Sequence, residues 1–282
     1  MQWNWYLKII PEPDEAFNRK ALLMAQENCF AKGLTSVTDA GLDKEIVLLL
    51  DKMQKTGELK MRVNAMLSPA KDNIDHFVKK GPYITERLSV RSIKLYADGA
   101  LGSRGAKMIE PYSDDPKNDG LFMHDSAYYH KHCQIAFENG YQVNTHAIGD
   151  EGNRFVLETY AGFLKGKNDK RWRIEHAQIV HPDDFKLFGE YSIIPSVQPT
   201  HATSDMYWAE DRVGAERIKG AYAYKQLLDE NGWMPLGTDF PIEDIDPLKT
   251  FYAAVAQKIW MAFLRKGFKW KMLCQEWRHC GA

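Results

Sequence analysis

Apolar and polar positions along the chain fall into alternating blocks of two different periods. Stretches 14–33, 43–59, 125–140, 151–166 and 215–232 show helical spacing, and 71–87 and 181–191 read as further helical segments. Between them lie β-rich apolar runs: LTSVTDAG (34–41), KMRVNAMLS (60–68), RSIKLYADG (91–99), YQVNTHAIG (141–149), RWRIEHAQ (171–178), SIIPSVQPTH (192–201) and WMPLGTDFP (233–241). These runs are nearly continuous rather than strictly alternating, which predicts strands buried on both faces of a parallel sheet. Seven strands alternating with helices predict an α/β fold, a TIM-type (β/α)8 barrel with one strand missing. A doubly wound open sheet is the competitor; it usually has fewer strands, and no GxGxxG turn for phosphates is present.

Four of the runs stop at a residue able to bind metal: Lys94, His146, His176 and Asp239. In a parallel barrel the carboxyl ends of the strands converge on one face, where loops build active sites. Imidazoles and oxygen ligands around a divalent ion, with a carboxylate to move protons, make a metal-dependent hydrolase the economical reading. A metal-free lyase or isomerase using Lys94 as a Schiff-base amine is a weaker alternative. Asp39 ends a strand at the same mouth and is a minor candidate. Asp98, in ADGA, reads as a turn former, and Arg173 as either structurally paired or in contact with ligand. His76, His124, His130, His132 and His181 are expected to be solvated. The segment 100–122 reads as a lid or a plain surface excursion.

Composition sets outer limits on these readings. The 282 residues, 44% of them apolar, suffice for the core of one barrel domain. A net charge of −1 gives no electrostatic reason to expect nucleic acid or an anionic membrane as partner. The expected partner is a small-molecule substrate. No apolar run is long enough to span a bilayer, and the four cysteines lack the spacing of a zinc ribbon or redox motif. A cytoplasmic setting is expected.

The stretch IKLYADGALGSRGA (93–106), followed by NTHAIGD and IEHAQ, resembles the metal-dependent amidohydrolase superfamily, in particular its branch of N-substituted formamide deformylases. The resemblance runs from about residue 10 to residue 257. It implies an HxH pair on strand one, a lysine on strand four, single histidines on strands five and six, and an aspartate on strand eight. Lys94, His146, His176 and Asp239 stand where the last four belong. The resemblance further implies one or two divalent ions, with zinc favoured by the donor set and manganese or iron as alternatives. Lys94 would be carbamylated, Asp239 would shuttle the proton, and His201 would help polarise the carbonyl.

The ends of the chain depart from this pattern. No HxH precedes the first strand, so strands two to eight are expected, with strand one and the family's small β domain missing. Residues 1–9 and the tail KIWMAFLRKGFKWKMLCQEWRHCGA (258–282) both read as out-of-frame translation around an in-frame middle, 10–257. Codons chosen for Ile259 onward, read from their third base, permit a string containing ENALS, which resembles the family's continuation. The same exercise on MQWNWYL permits AMELVS. The alternative to a C–N hydrolase is therefore a non-catalytic barrel fragment lacking a complete metal site.

Overall fold

The computed structural model describes residues 13–256, so the readings of 1–9 and 258–282 lie outside the described residues. The described residues open with α1 (Glu15–Ala31), capped by Asp14, whose Oδ1 accepts from Phe17 N at 2.8 Å. Strand β1 (Ser36–Leu42) leads to α2 (Lys44–Lys55), and β2 (Arg62–Leu67) follows. Next come α3 (Lys71–His76), the two-residue β3 (Tyr83–Ile84) and the long β4 (Leu88–Tyr96). Then α4 (Ser126–Glu138), β5 (Gln142–Ala147), α5 (Asp150–Leu164), β6 (Arg173–His176), α6 (Phe185–Glu190) and β7 (Ile194–Ser196) continue the alternation. The described chain closes with α7 (Pro199–Asp205), α8 (Ala209–Arg217), α9 (Tyr224–Asn231) and α10 (Pro247–Ala256).

The strands order as β1-β2-β4-β5-β6-β7, all parallel, with β3 antiparallel on β4. The sheet curls. Residues of β1 and the 235–239 segment at its far end line one cavity, and Lys32 Nζ reaches Asp246 Oδ2 at 3.1 Å across 214 positions of sequence. The result is a parallel half-barrel, the coarse form of the expected architecture. Central strands are buried as their apolar runs predict. Trp172 is fully buried, with its Nε1 donating to Tyr141 O at 3.1 Å. β1 differs: most of its residues are exposed, and among the described residues no strand pairs with its outer edge.

Local conformation corrects the sequence reading in four places. The helix expected over 71–87 splits into α3, a 3-10 turn at Val78–Lys80, and the β3–β4 hairpin. The strand expected to reach residue 201 ends at Ser196. Pro199, whose fixed φ suits the first helical position, starts α7, so His201 sits on a helix. The helix expected over 215–232 is broken between α8 and α9, where Tyr222 takes a left-handed φ of 51°. The last expected strand contributes only a parallel bridge, Val197 to Leu236.

The 97–125 connection is not a free flap. Leu101, Ala106, Met108 and Tyr112 are buried, and Tyr112 donates from its hydroxyl to Ala106 O at 2.7 Å. Its backbone presses on the β5–α5 turn so closely that a Cβ added to Gly149 would lie 2.0 Å from Lys107 O. Gly149→Ala is therefore expected to destabilise the fold by about 3 kcal/mol through overpacking. Gly162→Ala, in α5 with open space around it, should be neutral or stabilising by up to about 1 kcal/mol. Urea unfolding of the two variants checks the contrast.

Candidate functional site

Parallel register places the site residues before their side chains are considered. Tyr96 pairs with His146, Lys94 with Asn144, and His146 with Glu175, so these residues share the inner face of the curl. Alternation along β6 would then send His176 to the opposite face from Glu175. It does not, because His176 adopts φ 77° and the following Ala177 φ 43°. This left-handed break, uncommon for residues with a Cβ, accompanies an imidazole that lines the cavity with its ring centroid 4.5 Å from that of His146. Asp239 is held the same way, at φ 55°. Strain of this kind persists only where the surrounding structure enforces it.

The structure brings His176, His201 and Asp239 together: one ligand atom from each lies within 4.8 Å of the others. His201 Nε2 is 3.3 Å from Asp239 Oδ2, and its Nδ1 lies 3.6 Å from Glu243 Oε1. His176 Nδ1 is buried without a hydrogen-bond partner. A buried nitrogen left unpaired in a set of two imidazoles and a carboxylate fits a divalent ion. His146 stands beside His176 in the same cavity of about 1390 Å³.

Lys94 is enclosed by the inner face of the sheet. It is 4% exposed, with Nζ 4.6 Å from the centre of the Tyr96 ring, and among the described residues no carboxylate lies within 4.0 Å of it. Burial lowers its pKa, against the pull of Glu175 and Asp239. Burial also holds His146 down to about 4, with Lys94 adding to the effect. His176 is pushed well below its ordinary value by burial first, with its neighbours His146 and Lys94 further opposing a second positive charge. Both imidazoles are thus neutral at pH 7, the form in which histidine binds metal.

Asp98 has a larger part than shaping a turn. It is 2% exposed and accepts from Lys107 N at 2.9 Å, Ile148 N at 3.0 Å and Gly149 N at 2.8 Å. Burial raises its pKa to about 7 even against these donors. Its Oδ1 lies 3.5 Å from His146 Nε2. Arg173 is paired, with Nη2 3.1 Å from Glu175 Oε1, and Asp39 lines the cavity from β1. The histidine at 132 is buried, its Nδ1 2.8 Å from Tyr128 O, which corrects its reading as solvated. Sequence reasoning missed Gln178, Asp205 and Glu243. Only adjacency gave a signal: Gln178 follows His176 by two residues, and Asp205 follows His201 by four.

A curled parallel half-barrel with a histidine–carboxylate cluster at the carboxyl ends of its strands is the scaffold of a metal-dependent hydrolase class. The chain belongs to the Amidohydrolase family, whose sequence profile matches residues 4–271. It is 32% identical over 252 residues to the Protein LONG AFTER FAR-RED 3 of Arabidopsis thaliana, covering 84% of this chain and 43% of that one. Over 259 residues it is 32% identical to YtcJ of Bacillus subtilis (strain 168), covering 89% of this chain and 48% of that protein. An uncharacterized metal-dependent hydrolase from Pyrococcus furiosus superposes with a TM-score of 0.79 at 32% identity, over 86% of this chain and 51% of its own. An uncharacterized metal-dependent hydrolase from Pyrococcus horikoshii OT3 gives 0.78 at 31%, over 86% and 49%. The chain spans about half the length of these relatives. Among the described residues no helix is long and apolar enough to cross a membrane.

The depressed pKa of His146 predicts a pH dependence of stability. An unfolded histidine titrates near ~6.5, whereas the folded His146 titrates at about 4. The folded state therefore binds fewer protons between these values, and its stability falls as pH drops through that window. The metal-free chain is expected to lose up to about 3 kcal/mol from this group between pH 6.5 and 4. His146→Gln should flatten that part of the profile, as measured by denaturant melts at several pH values.

Proposed function

We propose that this chain carries the catalytic barrel of a metal-dependent hydrolase acting on C–N bonds, with amides and N-substituted formamides as the substrate class. The observation that carries the reading is the approach of His176, His201 and Asp239 to within 4.8 Å of one another. They do so in a cavity that also presents His146 and Lys94.

His176, His201 and Asp239 would hold a divalent ion, with His146 and Lys94 as further ligands beside them. The mixed nitrogen and oxygen donors suit zinc. When bound, such an ion lowers the pKa of water and polarises a carbonyl. The lowered pKa of Lys94 favours the free amine that carbamylation requires. That amine adds to the carbon of CO2, forms an N–C bond and releases one proton, leaving an anionic carbamate. Asp239 would accept a proton from the attacking water and return it to the leaving nitrogen. His201, held between Asp239 and Glu243, would be oriented as a ligand by those two carboxylates. Burial of the His146 and His176 rings keeps those two groups neutral and available as donors of electron pairs.

A second reading, a barrel that holds no catalytic ion by itself, is favoured by one observation. The outer edge of β1 has no strand beside it among the described residues, and β1 itself lines the cavity. Metal analysis separates the two. The purified chain, exposed to zinc and dialysed, is expected to retain at least one equivalent by elemental analysis. His176→Ala and Asp239→Ala should each reduce it to background, and hydrolysis of N-substituted formamides should fall by at least about 100-fold in each variant that still folds. Zinc at background in the wild-type chain favours the second reading.

A further inference from the structure

α7 presents two polar side chains to the cavity four residues apart, His201 and Asp205, which lie on one face of a helix. His201 belongs to the cluster described above. Asp205, about one turn or ~5–6 Å along the helix, has no part in it. Its carboxylate is braced instead: Oδ2 accepts from the Tyr222 hydroxyl at 2.7 Å and from Gln178 Nε2 at 3.2 Å. Gln178 Nε2 also reaches the Tyr222 oxygen at 2.8 Å, so the three groups form a closed triangle.

The brace is rigid. Gln178 is 5% exposed and Tyr222 fully buried. Tyr222 N donates to Gln178 O at 2.7 Å, Ala221 bridges to Ile179, and Tyr222 holds its left-handed φ. Neither side-chain bond uses Asp205 Oδ1, and among the described residues no donor is hydrogen-bonded to that atom. Trp208 stands on the same wall, packed so tightly on the loop that a Cβ at Gly102 would lie 3.3 Å from its ring. The cavity is acidic as a whole: Asp39, Glu175, Asp205 and Asp239 line it, against Lys94 and Arg173, and Arg173 is already paired to Glu175.

We infer that Asp205, oriented by Tyr222 and Gln178 and flanked by Trp208, is a recognition site for a positively charged nitrogen group of the substrate, one helical turn from the reacting centre. A fixed carboxylate with one oxygen free suits an ammonium or amidinium group, which gains a charge-assisted hydrogen bond there. The site's relation to the reacting centre rests on the proposed hydrolase reading. The binding itself does not.

The test uses the full chain, kept metal-free with chelator, and two aromatic probes of nearly equal shape, benzamidinium and neutral benzamide. Calorimetric titration is expected to show benzamidinium binding at least about tenfold tighter than benzamide. Asp205→Asn should abolish that preference, and Tyr222→Phe, which removes one brace, should reduce it. Equal affinity for the two probes in the wild-type chain, or a preference that survives in a folded Asp205→Asn protein, overturns the inference. A crystal of the wild-type chain soaked with benzamidinium gives a readout that needs no variant. The amidinium must lie within hydrogen-bond distance of Asp205 Oδ1, and placement elsewhere overturns the inference equally. No metal or turnover enters either measurement, so absent amide hydrolysis would count against the proposed function alone.

Discussion

One buried carboxylate organises the mouth of this half-barrel. Asp98 leaves the end of β4 and accepts three backbone N–H groups, one from the 97–125 connection and two from the β5–α5 turn. A loop, a strand end and a helix start are thereby fixed to one another by a single side chain. Backbone donors buried in such a place must find an acceptor or cost about 1–3 kcal/mol each. The clamp also explains the close packing around it. A Cβ at Gly152 would come within 2.6 Å of Asp98 Oδ2, so α5 can approach only with glycine at that position. His146, two residues before Ile148, sits on the strand that this clamp secures, and its Nε2 is within 3.5 Å of the same carboxylate.

Strain complements the clamp. A parallel strand presents alternate residues to opposite faces, so a strand with Glu175 inside would lose His176 to the outside. Left-handed geometry at His176, Ala177 and Asp239 breaks that alternation where the cavity begins. The half-barrel can therefore carry an Arg173–Glu175 pair on its inner wall and an imidazole at its mouth from successive positions of one short strand. Those conformations cost of order 1–3 kcal/mol each, and they stand among buried residues such as Ile174, Ile179 and Val197.

The sheet was legible because its central runs, IKLYA, VNTHA and RIEH, are largely buried and are interrupted mainly by residues that line the cavity. The grouping of Lys94 with His146 follows from the observed register, in which Lys94 pairs with Asn144 and Tyr96 with His146 on one face. What was not legible has a physical cause in each instance. The 71–87 stretch has apolar residues compatible with a helix, yet Gly81 at φ 85° and the pairing of Tyr83 with Val90 turn it into a hairpin. SIIPSVQPTH reads as one strand, but Pro199 fits a helix start and carries His201 onto α7. The role of Asp98 depends on donors at 107, 148 and 149 that only the fold brings near. Asp205 is equally dependent on residues 178 and 222.

Burial sets the electrostatic character of the whole mouth. Removing His146 and His176 from water disfavours their charged forms, and the same desolvation acts on Lys94. Glu175 and Asp239 work in the other direction, supporting an ammonium on Lys94. A divalent ion at the His176–His201–Asp239 cluster would compete with that ammonium for the field of the same carboxylates. Ion and proton are then linked by necessity: each positive charge raises the free energy of the other, so a bound ion lowers the pKa of Lys94 further and a neutral Lys94 strengthens ion binding. A lysine in such a place is a poor partner for metal only while it is protonated. The desolvated inner face of the curl, by weakening that protonation before any ion arrives, makes a lysine beside two neutral histidines compatible with one cation site.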